Sequence, residues 1–276
     1  MIGFVTYSNA QLPPELIERY HVEVVALTVT VDGEDHLENV DLDADAFYAA
    51  FESGTPQIST SQPSPGRIGL AYQALADRGA DEILSVHGGS AVSGTVNAAR
   101  LAAQGSPVPG RIVDTGTASC GIALALWAAA DAVAAGASVE EAATVAEGVA
   151  GTTGNVFVVR LLDVARAGGR LASGVTAQAI PVLSMIDGVM QKVGEAADHE
   201  AAVTAMADYV RRAGTGLRVG VGVADTASEP LSAALEARLR DAPEVDELLR
   251  YRIGPSVGAH TGPGTASAMW CPRAPR

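Results

Sequence analysis

Apolar and polar positions alternate in two rhythms along this chain, one short and β-like, the other helical. Ile2 to Tyr7 is an apolar run of strand length, and Pro13 to Tyr20 follows with helical spacing and a proline at its start. Val22 to Val31 is dense in β-branched residues and predicts a single second strand. Asp43 to Glu52 predicts a helix whose Phe47, Tyr48 and Phe51 share a face, a spacing that core packing explains. A helix from Pro65 to near Gly79, a strand at Glu82–Val86, a helix from Ser93 to Gln104 and a strand at Arg111–Asp114 come next. A long helix from Thr117 to Ala135 stops at Gly136, and Ser138 with Glu141 forms a capping box for the helix after it. Strand–helix alternation of this kind predicts a largely parallel sheet covered by helices.

The rhythm changes after about Thr153. Val156 to Val159 reads as a strand, and Leu161 to Ala167 as a short helix stopped by Gly168-Gly169. Ile180–Ile186, Asp187-Gly188 and Val189–Val193 read as a hairpin with a tight turn. Asp198 caps a helix running to Ala213; Leu217–Val223 is a strand, Ser228–Arg240 a helix and Leu248–Ile253 a strand. This half predicts a mixed sheet with helices on one face. The expected division is an N-terminal α/β domain at 1–154 and a C-terminal mixed-sheet α/β domain at 155–276, with no linker-like stretch between them and no internal repeat.

Composition narrows the function. The chain has 276 residues and a formal net charge of −14, which argues against a nucleic-acid surface and against electrostatic attachment to anionic membranes. A bound carboxylate must then be held by local donors. Alanine and glycine abound and aromatics are scarce, so helices are expected to pack closely through small side chains. The only cysteines are Cys120 and Cys271, and no signal peptide is recognisable, so a reduced cytoplasmic protein is expected. Cys120 reads as a small core residue. No CxxC or HExxH is present, so neither a metal nor another cofactor is indicated, and the Ala-rich stretch from Ile122 to Ala137 is too short and too polar for stable membrane insertion.

Three segments concentrate hydroxyls and glycines. Thr60-Ser61-Gln62-Pro63-Ser64-Pro65-Gly66 places Ser64 and Pro65 as N-cap and first residue of a helix. Gly88-Gly89-Ser90-Ala91-Val92-Ser93-Gly94-Thr95 follows an apolar strand and opens another helix. Gly258-Ala259-His260-Thr261-Gly262-Pro263-Gly264 predicts a tight loop with exposed N–H groups and one titratable ring. Two hydroxyl loops at helix N-termini plus this third segment suit an anion, because orphan N–H groups and the helix dipole favour negative charge there.

TSQPSPG, the SxxSGT pattern from Ser90 to Thr95 and GAHTGPG together resemble the DegV family of bacterial fatty-acid-binding proteins. Gly168-Gly169-Arg170, Ile180-Pro181-Val182-Leu183 before Asp187-Gly188, and Val113-Asp114-Thr115 extend the resemblance over nearly the whole chain in the expected order. The resemblance implies a two-domain DegV-like α/β fold and a non-catalytic protein that encloses one long-chain fatty acid, its carboxylate held between the domains. Carried over by motif, Thr60 and the serine at Ser90 or Ser93 contact the carboxylate and His260 stands behind them as donor or orienter; Ser61, Gly94, Thr261 and Gly262 complete the implied ligand-binding set. The family further implies presentation of the carboxylate to a separate ATP-dependent fatty acid kinase; as local cations on an acidic protein, Arg170 and Lys192 are the candidates to face that partner or its phosphate. The family's first loop carries an acidic residue where this chain has Thr6-Tyr7-Ser8, and its SS pair is Gly89-Ser90 here. Its basic pair after the Asp187-Gly188 turn is reduced to Lys192, with Gly194 at the expected arginine.

Enzyme signatures are missing. Gly220-Val221-Gly222 lacks the third glycine of a dinucleotide fingerprint, Asp225 standing in its place, and no phosphate-binding GxxxxGK[ST] or GxSxG elbow occurs. The alternative to a binding protein is an α/β serine hydrolase acting on a small ester or acyl substrate, assembled from Ser90 or Ser93, His260 and Asp114.

Overall fold

The computed structural model describes residues 1–273 except Gly168, Arg170, Ala177 and Gln178. The chain forms two compact units, Met1–Thr28 with Thr60–Thr152 and Val29–Ser59 with Thr153–Arg273. A single cut at residue 154 therefore misplaces residues 29–59, which pack with the second unit.

The chain opens with β1 (Ile2–Tyr7), α1 (Pro14–Tyr20) and β2 (Glu23–Val25). The predicted strand from Val22 to Val31 is broken. β2 pairs in parallel with β1, whereas β3 (Thr28–Val31) joins a different sheet with β4 (Glu34–Leu37). At the break the Leu27 N–H donates to the Ser8 hydroxyl at 3.0 Å, so a side chain from 19 residues away takes the place of a ladder bond there. Next come α2 (Ala44–Ala49), capped by Asp43 on the Ala46 N–H, and a 3₁₀ turn at Ala50–Ser53. β5 (Ile58–Ser61) starts in the second unit and ends, at Thr60 and Ser61, in the first. The reading of Thr60-Ser61 as loop is thus corrected: they finish a strand in the order β4-β3-β5.

In the first unit, α3 (Pro65–Asp77) begins as predicted, the Ser64 hydroxyl accepting from the Arg67 N–H at 3.3 Å. Ile68, Ala71, Tyr72 and Leu75 are its buried stripe. β6 (Glu82–His87), α4 (Thr95–Ala103), β7 (Gly110–Asp114), α5 (Cys120–Ala134) and α6 (Val139–Ala150) complete the unit. The sheet order is β2-β1-β6-β7, all parallel. α5 is buried over most of its surface, Cys120 included, and packs on α6 through alanines, as the composition predicts. The Ser138–Glu141 capping box is formed with both reciprocal bonds.

The second unit continues with β8 (Gly154–Val158), α7 (Leu162–Ala167), β9 (Ile180–Ile186) and β10 (Val189–Ala196). Asp187 and Gly188 both have positive φ, 51° and 77°, which gives the twisted two-residue turn the hairpin needs. After α8 (His199–Arg211), capped by Asp198, come β11 (Leu217–Val223), α9 (Glu229–Arg240) and β12 (Val245–Arg252). The last elements are α10 (Pro255–Thr261) and β13 (Ala266–Pro272). The sheet runs β10-β9-β8-β13-β11-β12; β11 and β12 pair in parallel and the other neighbouring strands antiparallel. Val156, Val158, Met206, Val219, Val221, Leu235 and Trp270 form the core beneath α8 and α9.

Candidate functional site

In the first unit the chain leaves β1 toward β2 on one side and leaves β6 toward β7 on the other. The carboxyl ends of β1 and β6 therefore flank a topological switch point, the place where open α/β sheets offer a crevice. The segment Gly88–Gly94 emerges there. It is tied to the loop after β7: the Gly89 N–H donates to the Thr117 carbonyl at 2.7 Å, and one Asp114 oxygen accepts from the N–H groups of Ser90 at 3.2 Å and Gly116 at 3.0 Å. Ser119, with φ of 56°, gives its N–H to Asn9 Oδ1 at 3.3 Å, which joins the loops after β1 and β7.

Ser90 is exposed, while Ser93 and Gly94 are half-buried just before α4. The Ser93 hydroxyl lies 2.8 Å from Thr95 Oγ1. The two hydroxyl loops meet through Gln62. A Cβ on Gly94 would fall 1.9 Å from Gln62 Oε1, so the carboxamide rests on the bare Cα of Gly94 and leaves room for no other residue without displacement. Thr60 and Ser61 are thereby brought to the same part of the unit as Ser93 and Gly94. Gln62, one residue from the hydroxyl pair, was not singled out as a contact in the sequence; its role depends on Gly94, far along the chain.

Beneath this end of the sheet lies a buried polar string. The Tyr72 hydroxyl donates to Ser85 Oγ at 2.9 Å, Ser85 Oγ is 2.7 Å from His87 Nε2, and His87 Nδ1 has no hydrogen-bond partner among the described residues. Burial alone pushes the imidazole down from 6.5 to about 3, so the ring is neutral. Burial raises the Tyr72 phenol to about 12, with the Ser85 hydrogen bond opposing the rise. His87 ends an apolar strand and carries no motif.

In the second unit the GAHTGPG segment is not the predicted loop. Gly258, Ala259, His260 and Thr261 are helical, with Gly258 N–H to Gly254 carbonyl at 2.9 Å and Gly262 N–H to Gly258 carbonyl at 2.7 Å. The helix tolerates Gly258 because its bare Cα is what packs: a Cβ there would be 2.7 Å from Phe47 Cε1 and 2.6 Å from the Tyr48 hydroxyl. His260 sits half-buried in the last turn. Thr261 is buried, and its hydroxyl donates to the Val257 carbonyl at 3.3 Å. Gly262 ends the helix with positive φ, and the turn is held by Asp225, which accepts from the Gly264 N–H at 3.0 Å and the Ser228 N–H at 2.9 Å.

Of the two expected partner-facing cations, Arg170 lies outside the described residues. The Lys192 ammonium is engaged, 3.1 Å from Glu195 Oε2 and 3.2 Å from the Thr176 carbonyl. For the hydrolase trio, Asp114 spends its carboxylate on backbone N–H groups and the Ser93 hydroxyl pairs with Thr95, neither contact being one that orients a catalytic imidazole. Among the described residues no cluster of His, Cys, Asp or Glu could hold a metal ion, and no helix is long and apolar enough to cross a membrane.

The family model described as "Uncharacterised protein, DegV family" matches residues 1–273. A DegV domain-containing protein of Streptomyces coelicolor is 33% identical over 272 residues, 95% of each chain. One from Deinococcus radiodurans is 34% identical over 271 residues, again 95% of each. Among solved structures, a fatty-acid-binding DegV family protein from Thermus thermophilus superimposes with a TM-score of 0.89 at 28% identity, covering 98% of this chain and 99% of that one. DegV from Bacillus subtilis, described as a fatty acid binding protein, gives 0.85 at 25% identity and 98% of each chain. With a family model matching residues 1–273 and relatives 33% and 34% identical over 95% of both chains, this chain belongs to the DegV family.

Proposed function

We propose that this protein binds one long-chain fatty acid as a non-catalytic carrier. The observation that carries the reading is the full-length likeness to the fatty-acid-binding DegV structures, joined to a hydroxyl cluster at the switch point of the first unit. The Thr60, Ser61, Ser90 and Ser93 hydroxyls and the backbone at Gly94 satisfy the carboxylate. His260 orients it as a ring N–H donor, and Thr261 and Gly262 shape the end of its helix. Hydroxyl and N–H donors suit a head group on an acidic protein, because they favour the charged form without a tight ion pair.

Thr60→Ala or Ser93→Ala is expected to weaken binding of the free acid by roughly ten- to a hundredfold, the range for a lost hydrogen bond to a charged group, and binding of the matching fatty alcohol far less. Calorimetric titration of both ligands reads this directly. Equal losses for acid and alcohol would assign these hydroxyls to capping and packing.

The finer reading is that the bound carboxylate is presented to a separate ATP-dependent kinase for acyl-phosphate formation. The chain carries no nucleotide fingerprint, so the phosphate donor belongs to the partner. Gly194 lies on β10 where a Cβ would be 3.6 Å from Val182, an ordinary contact, so the backbone accepts an arginine. With purified cognate kinase and ATP, Gly194→Arg is expected to raise the rate of acyl-phosphate formation. A rate unchanged by the substitution would show that the missing arginine is irrelevant to presentation.

A further inference from the structure

The helix that carries His260 starts from a glycine. Gly254 occupies the N-cap position and offers no side chain, so the first N–H groups of α10 need an acceptor from elsewhere. Glu38, just after β4, supplies it. Its Oε1 accepts from the Ser256 N–H at 2.8 Å, across 218 residues of sequence. Glu38 is only 1% exposed. A carboxylate is buried so deeply only where donors and a helix N-terminus compensate its lost hydration.

Glu38 is one of four holds that the excursion between residues 29 and 59 places on this stretch of chain. The Asp45 carboxylate pairs with Arg252. The Tyr48 hydroxyl donates to the Ile253 carbonyl at 3.0 Å. Phe47 and Tyr48 receive the bare face of Gly258. The holds thus fall on residues 252, 253, 256 and 258, and His260 follows within the same short helix. At its far end Thr265 Oγ1 donates to the carbonyls of Thr261 at 3.1 Å and Gly262 at 2.9 Å. A seven-residue helix has too few internal bonds to fix its own orientation, so these outside contacts set it.

We infer that Glu38 is a positioning residue for ligand recognition: by capping α10 it fixes where His260 stands. The inference rests on the reading that His260 serves the fatty acid carboxylate. The excursion that holds the helix also ends, through β5, on Thr60 and Ser61. Nothing in the sequence motifs marks Glu38, which lies outside all three hydroxyl-rich segments.

A double-mutant cycle on the full chain tests it, with palmitic acid and hexadecanol as probes. Glu38→Ala is expected to weaken palmitic acid about tenfold, the size of a lost helix cap, and hexadecanol less than about twofold. Glu38→Gln keeps an acceptor oxygen and is expected to recover most of the loss. In a His260→Ala background, Glu38→Ala is expected to add less than about twofold, because a positioning residue has nothing left to position. Should Glu38→Ala fail to fold, Tyr48→Phe removes another of the four holds and is expected to show the same pattern at about threefold. The inference is overturned if either variant loses acid and alcohol affinity equally, or if its loss is undiminished in the His260→Ala background. If His260→Ala alone leaves palmitic acid binding unchanged, the reading of His260 fails and the inference falls with it, a result distinct from an effective His260→Ala with additive losses.

Discussion

Acidifying the protein through the range from about pH 6.5 toward pH 4 is expected to remove several kcal/mol of stability through one residue, His87. Its ring is fully buried and its titration is pushed from 6.5 to about 3 by desolvation. The neutral ring is the form that fits the fold, so its contribution is complete above the unfolded value near 6.5. It is lost as pH falls, because the unfolded chain takes up a proton that the folded chain refuses until about pH 3. One proton corresponds to about 1.4 kcal/mol per pH unit, so the whole window amounts to something on the order of 5 kcal/mol. Glu141 and Glu244 are held below the usual carboxylate range, the first by bonds from Ser138 and the second by Arg211. Their contributions persist above that range and disappear below it, so they act only toward the acid end. Urea unfolding at stepped pH gives the slope, and His87→Gln, which can still reach Ser85, is expected to flatten it between about pH 6.5 and 4.5. Parallel curves for the two proteins would show that His87 is not the residue that titrates.

His87 also marks where sequence reading stops. A histidine at the end of an apolar strand carries no periodic or motif signal; its meaning comes from its burial and from Tyr72 and Ser85 beside it. Local chemistry was legible wherever it acts within a few residues. Asp187-Gly188 implies a hairpin turn, Ser138 and Glu141 imply a capping box, and Ser64-Pro65 implies a helix start, because each is complete within four positions. The strand from Val22 to Val31 was misread because its β-branched run is continuous, whereas the interruption comes from the hydroxyl of Ser8. The GAHTGPG helix was misread as a loop for a similar reason. Glycines there look like turn residues, but Gly258 is small so that Phe47 and Tyr48 can approach it. β13 carried no expectation at all. Ala266, Ser267 and Ala268 are weak strand formers, and the strand exists because β8 and β11 pair on either side of it. The hydroxyl-rich segments of the first unit stand out as motifs, while Gln62 and Glu38, which touch distant glycine and helix backbone, carry no such signal.

The second large expected effect concerns the ligand itself. A chain of about sixteen carbons contributes about 0.8 kcal/mol for each methylene withdrawn from water, on the order of 10 kcal/mol before ordering costs are subtracted. On the proposed reading the tail supplies the affinity, and the hydroxyl cluster has only to satisfy the head group. Shortening the acid is expected to weaken binding about three- to fourfold per methylene removed, at constant head group. Delipidated protein is expected to unfold more easily than loaded protein, by about 4 kcal/mol when free ligand stands at a thousand times its dissociation constant. Flat affinity across a series from eight to sixteen carbons would place the binding energy in the head group instead.

The measurement that bears most directly on the central claim is the identity of what the protein carries. Purified protein is denatured, extracted with organic solvent, and the extract is quantified by mass spectrometry against protein concentration. The fatty acid reading predicts long-chain fatty acid at close to one molecule per chain. An extract without acyl chains, from protein that instead holds a stoichiometric nucleotide or sugar, would contradict it.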